Sequence, residues 1–136
     1  MSAYGEGLDV VLGVAAVDLS SYQYCPVKLI STGVDICDAA TDPVAGILQN
    51  APTAGQSAVV RVHGMSKVKA GDTIAIGDKL RPEVTTGRAV AEAADGLSDN
   101  DKFIFGVACA AAADGELFEA LIQPVGYNQY PVTTIT

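Results

Sequence analysis

The chain has no tryptophan, one histidine and only three cysteines in 136 residues. Each scarcity removes a class of chemistry. Cys25, Cys37 and Cys109 are odd in number and form no Cys-x-x-Cys pair. With His63 as the single histidine, a zinc site has too few soft ligands. Free thiols in a reducing compartment are therefore expected. Positive charge is scarce too: eight Lys and Arg against sixteen Asp and Glu give a net charge of −8. The eight cations are scattered along the sequence, so neither a nucleic acid nor an anionic membrane is an expected partner. The longest early apolar run, Val10 to Val17, is interrupted by Gly13 and is far too short to span a bilayer. The opening MSAYGEGLDV lacks the basic segment of a secretory signal, so synthesis in a cytoplasm is expected.

What remains is apolar and finely punctuated. Hydrophobic residues make up 49% of the chain, enough for a packed core. A chain of this length buries roughly 68% of its unfolded surface, so one domain needs no disulfide or metal to hold it. Glycine turn signals recur every 8 to 12 residues between short β-like runs. The clearest run is Ser57 to Val68. Ala58, Val60, Val62, Gly64 and Val68 fall on one face, and Arg61, His63, Met65 and Lys67 on the other. Further strands are expected at CPVKLISTG, at Ala45 to Gln49, in TTGRAVAEA with Val90 and Glu92 alternating, in FIFGVACAAAA, and in the closing ELFEALIQP with Phe118, Ala120 and Ile122 inward. By propensity, the alanine-rich Ala108 to Ala113 suits a helical turn equally well. In AGDTIAIGDKL, Ile74 and Ile76 are expected to pack together between two Gly-Asp turns, with Asp72 and Asp78 bonding their own backbone. The fold class is mainly β, a small antiparallel barrel or sandwich with little helix. Residues 1–20 read as an extended arm, 21–125 as the β domain and 126–136 as a tail. The apolar VVLGVAAV within the arm has strand character but no adjacent partner.

The candidates for chemistry are few. Lys67 follows Met65-Ser66, but it continues an alternating strand, and the flanks of a biotin- or lipoyl-bearing lysine are absent. Ser66 and Lys67 are adjacent on a strand, so they point to opposite faces and form no dyad. His63 has no identified carboxylate or nucleophile to serve. DGLSDNDK resembles a calcium loop only in composition, and no phosphate-binding loop occurs. No catalytic residue, cofactor, metal or small-molecule substrate is expected.

In order along the chain stand Gly46 to Asn50, Pro52, Gly55, Gly64, Lys67-Val68, Gly71, Gly77-Asp78, Gly87-Arg88-Ala89, Gly106-Val107 and Gly115-Glu116-Leu117. This succession, over residues 23–124, resembles the capsid cement, or head decoration, proteins of tailed bacteriophages. The resemblance implies a non-enzymatic, β-tulip-like protein on the outer surface of an expanded head. Its implied partners are the major capsid protein and its own copies in a homotrimer. It would be made in the host cytoplasm and would reinforce the shell against internal pressure. Gly46, Gly55, Gly64, Gly71, Gly77 and Asp78 would be its structural turns. Two other classes stay open: another virion part such as a head fibre base or tail component, or a small hydrolase or cofactor carrier. The segment LDVVLGVAAV must pack on something. It is expected either as an edge strand of its own domain or as a strand added to a neighbour, with Tyr4, Leu8, Val10 and Leu12 as contacts to the shell.

Overall fold

A computed structural model describes residues 7–92 and 103–127. These residues form nine strands and no helix, joined in one mainly antiparallel sheet that curls on itself. The strands are β1 (Gly7–Val14), β2 (Pro26–Ile30), β3 (Gly33–Ile36), β4 (Gly46–Leu48), β5 (Ser57–Lys69), β6 (Lys79–Pro82), β7 (Ala89–Ala91), β8 (Phe103–Ala108) and β9 (Leu117–Tyr127).

The period-two pattern of Ser57 to Val68 becomes the longest strand, and the rest is arranged about it. Along the first half of β5, Val60 faces Val10 of β1 on one side and Leu48 of β4 on the other. Along the second half, Gly64 to Lys69 pair with Ile122 to Leu117 of β9. Each half then closes. β4 pairs with β2 and β2 with β3, and a parallel bridge from Val34 of β3 to Ala15 returns the chain to the end of β1. β9 pairs with β8, β8 with β6 and β6 with β7. A second parallel bridge, Ala89 to Ala70, returns to the end of β5. In this bridge Gly71 N donates to Ala89 O at 2.8 Å. Closure protects strand edges that would otherwise invite pairing with another chain.

Each closed half holds its own apolar core. Ala15, Leu19, Val27, Val34, Leu48, Ala58 and Val60 fill the first. The second is larger and includes Ile47, Val68, Ile74, Leu80, Phe105, Phe118 and Ile122. Ile47 and Leu48 are neighbours on β4 and point to opposite faces, so this short strand is a wall between the two cores.

Several expectations change. VVLGVAAV does find a partner: β5, some fifty residues on, which local reading cannot see. From Gly7 the segment is packed into the sheet, and Leu19 is wholly buried. Ile76 does not pack beside Ile74. It is 71% exposed, whereas Ile74 is 1% exposed. The reason is the turn at Ala75–Asp78: Asp78 N donates to Ala75 O, and Asp78 Oδ2 accepts from Ala75 N at 2.8 Å. Only Ile74 keeps a strand-like bridge, to Ala112. The alanine-rich stretch after β8 is therefore a bend and a bridge and not a helical turn.

Two of the glycines expected in turns lie inside strands. Gly46 sits in β4, where a Cβ would fall 2.3 Å from Arg61 O of β5. Gly64 sits in β5 with φ +104°, where the pairing with Gly7 meets the pairing with Ile122. Gly55, Gly71 and Gly77 fall outside the strands. β9 continues to Tyr127, into the stretch read as tail; residues 128–136 and the loop DGLSDNDK lie outside the described residues.

Leu19→Ala tests how far the N-terminal segment belongs to the domain. The substitution should destabilise the protein by about 2–5 kcal/mol in urea unfolding. A detached arm would leave stability unchanged.

Candidate interaction surfaces

Among the described residues weighed for chemistry, no catalytic constellation assembles. Ser66 is 3% exposed, and its Oγ accepts from Gln49 Nε2 at 2.9 Å and donates to Lys67 O at 2.8 Å. This bond satisfies a polar side chain buried in an apolar face. Lys67 and His63 are exposed on the opposite face of β5. Cys25 and Cys37 are buried and Cys109 is exposed, all as free thiols. Burial pushes the Cys25 thiol up to about 11 and the Cys37 thiol higher still, so both are inert at neutral pH. Among the described residues no group of His, Cys, Asp and Glu is placed to hold a metal.

The densest polar cluster serves a loop. Lys28 Nζ on β2 lies 2.8 Å from Asp42 Oδ2 and 3.1 Å from Asp38 Oδ1. Asp42 Oδ2 also accepts from the backbone N of Asp38 at 2.9 Å and of Ala39 at 3.1 Å. The hydrogen bond to Asp42 holds the Lys28 ammonium far above its usual range. The Lys28 ammonium in turn holds Asp38 below the usual carboxylate range. The cluster pins the crossing from β3 to β4 against β2.

Two surfaces are left as sites of contact. The first is the outside of β1 and the β2–β3 hairpin. Leu8 is 59% exposed and Val11 63%. Val14, Val17, Leu29 and Ile30 are exposed as well. Val14 lies beside the hairpin tip, its carbonyl oxygen against Gly33. Of the contacts expected by alternation, Leu8 is exposed, but Val10 and Leu12 are half-buried, and Leu12 packs against the first core. Tyr4 lies outside the described residues. Alternation holds from Asp9 to Leu12, and Val10 and Leu12 lie on its inward side, that of the first core. The β1–β5 register shifts twice: between Leu8 and Asp9, where the extra residue is Val62 of β5, and between Val11 and Val14, where it is on β1 and turns Val14 outward. Gly13, with φ +128°, was the available signal for the second.

The second surface is the outer face of β5, β9, β8 and β6. Cross-strand pairing sets Met65, Leu121, Val107 and Lys79 in one row. Lys67 pairs with Glu119 in the next row, and Lys69 with Leu117 in the one after. Arg61 pairs with Ile47 of β4 and is engaged with Asp9 and with the carbonyl of Met65, so it stands apart from this face. On β6, Arg81 alternates outward with Lys79, between buried Leu80 and Pro82. Four of the eight cations, Lys67, Lys69, Lys79 and Arg81, thus share a face. The scatter noted along the sequence does not survive folding. Half of this gathering was legible, since Lys67 and Lys69 alternate on one strand; the register of β6 against β8 was not.

No family model matches the chain, and no curated protein matches it. Among solved structures, the fold is similar to that of the head fiber gp8.5 N base in bacteriophage phi29. The TM-score is 0.59 at 18% sequence identity, covering 85% of this chain and 93% of that one. The likeness establishes a shared fold.

Asp42→Ala removes one ion pair and two backbone acceptor bonds together. It should lower stability by about 1–3 kcal/mol at pH 7. The pH dependence follows from Asp38, whose folded pKa is lowered. Its stabilisation is present above its unfolded pKa of about 3.9 and is lost as pH falls through the folded value. Asp38→Asn should therefore flatten the loss of stability below about pH 4. Lys28, raised in the folded state, contributes until pH rises through its folded pKa, so neutral to mildly basic pH should leave the clasp intact. Urea titrations of both variants between pH 2.5 and 8 check this.

Proposed function

We propose that the chain is a non-enzymatic structural protein of a tailed-phage particle, seated on the outer surface of the head and bound to its major capsid protein. The observation that carries this reading is the likeness to a head fiber base along nearly the whole of both chains. The ordered glycine and strand signals over residues 23–124 resemble head decoration proteins and support the same reading. The physical chemistry agrees. Cysteine thiols are inert or isolated, Ser66 is occupied structurally, and the exposed apolar residues suit contact with protein.

Within this reading the chain acts as cement, bridging shell subunits as a homotrimer on an expanded head. It would be made in the host cytoplasm and assembled onto the shell. A trimer multiplies a modest single-site affinity when its copies engage together. The exposed side chains Leu8, Val11 and Val14 of β1, with the hairpin beside them, supply the apolar contact. The fold likeness favours a second reading, in which the chain is the base from which a head fibre rises.

Co-sedimentation with expanded heads stripped of accessory proteins tests the reading. Saturable binding to heads and none to purified tails is expected. Leu8→Asp/Val11→Asp should weaken it at least tenfold while the protein stays folded. Binding to tails alone, or to neither, would overturn the assignment. Electron microscopy of the saturated heads separates the two readings: cement follows the shell closely, whereas a fibre base marks the roots of projecting fibres on native particles.

A further inference from the structure

The outer face of β5, β9, β8 and β6 is left unused by β1 and its hairpin. It combines three features. The first is charge. Four cations, Lys67, Lys69, Lys79 and Arg81, and two carboxylates, Glu92 and Glu119, occupy it, in a chain whose net charge is −8. Arg81 is engaged with Glu92 at 2.8 Å, but Lys67, Lys69 and Lys79 have no ion-pair partner among the described residues. The second is exposed apolar surface. Leu117 is 46% exposed, and Leu121 and Val107, paired across β9 and β8, are each 36% exposed. The third is relief. Two shallow depressions of about 240 and 230 Å³ flank the Lys67–Glu119 pair. One lies toward Leu117 and Ala110, the other between Tyr24, Gln49 and Met65. Tyr24 holds its wall with φ +70°, kept there by bonds from its N to Leu48 O and from Lys69 N to its O.

We propose that this face docks an extended, acidic protein segment that seats an apolar side chain in the depression beside Leu117 and Ala110. Charge complementarity selects the sign of the partner: unengaged ammonium groups on an acidic body attract carboxylates and repel little of them locally. The depressions select its class. Each falls below the roughly 300–1,000 Å³ typical of small-molecule sites, and each suits one side chain. The two depressions share Lys67 and Glu119 as a common rim, one opening toward Leu117 and Ala110 and the other, lined also by Ser66, toward Tyr24 and Gln49. Glu92 and Glu119 interrupt the cations, which disfavours a continuous phosphate backbone. The inference goes beyond the head assignment and does not require it.

The test is a nuclear magnetic resonance titration of the ¹⁵N-labelled full chain. The probes are an octapeptide alternating glutamate and leucine, its glutamine–leucine counterpart and an eight-nucleotide oligothymidine. The acidic peptide should shift the amides of Met65, Lys67, Val107 and Glu119. Its affinity should fall at least tenfold in 500 mM salt and at least tenfold in Lys67→Glu/Lys79→Glu. Both lysines are exposed, so the variant's spectrum away from the face should be unchanged; Lys67→Gln/Lys79→Gln, which reverses no charge, should give an intermediate loss. No shifts on this face, equal binding of the glutamine peptide, or indifference to both double variants would overturn the proposal. Tighter binding of oligothymidine would overturn it too, by assigning the face to nucleic acid. None of these outcomes bears on binding to heads, so the two assignments fail separately.

Discussion

β5 is bonded along both edges and buried on one face, and these constraints shape the molecule. Its first half takes β1 and β4 as neighbours, its second half β9. Ala58 and Val60 enter one core; Val68 and Ala70, just beyond the strand's end, enter the other. A strand with two bonded edges cannot shift register by one residue without turning Lys67 and Lys69 inward and Val60 and Val68 outward. The cost of burying unpaired charge makes that slip prohibitive. The same alternation that fixes the cores therefore fixes which side chains form the outer face.

The link from sequence to fold was strongest where a pattern was local. The alternation of β5 and the inward Phe118, Ala120 and Ile122 follow from the period-two rule, and β8 from a continuous apolar run that marks a strand buried along its length. The pattern failed where a single tight turn outweighed it, as at Ile76, and where pairing was distant, as between β1 and β5. The candidate surfaces divide the same way. Lys67 and Lys69 share a strand and could be grouped by eye. Lys79 joins them only through three cross-strand pairings, to Val107, from Val107 to Leu121 and from Leu121 to Met65. On β1, Val10 and Leu12 alternate inward, a direction that depends on the distant pairing with β5, and Val14 is turned outward by the bulge at Gly13.

Function then follows from what the two surfaces present to a partner. One is apolar, on β1 and the hairpin next to it. The other is cationic with apolar rows, on an acidic body. A protein attached to a large assembly gains from such a division: hydrophobic contact supplies affinity, and charge sets orientation and rejects wrong partners. Glycines such as Gly46, where β4 presses on β5, let small strands pack closely enough for a chain of 136 residues to enclose two cores.

The central claim is that the chain stands on the outside of a phage head, gripping it through β1 and its hairpin. A near-atomic electron cryomicroscopy map of native particles tests this most directly. The account predicts density for the nine-stranded fold outside the shell, with Leu8, Val11 and Val14 against the shell protein. Density for this fold within the tail, or on the head with β1 turned to solvent, would contradict it.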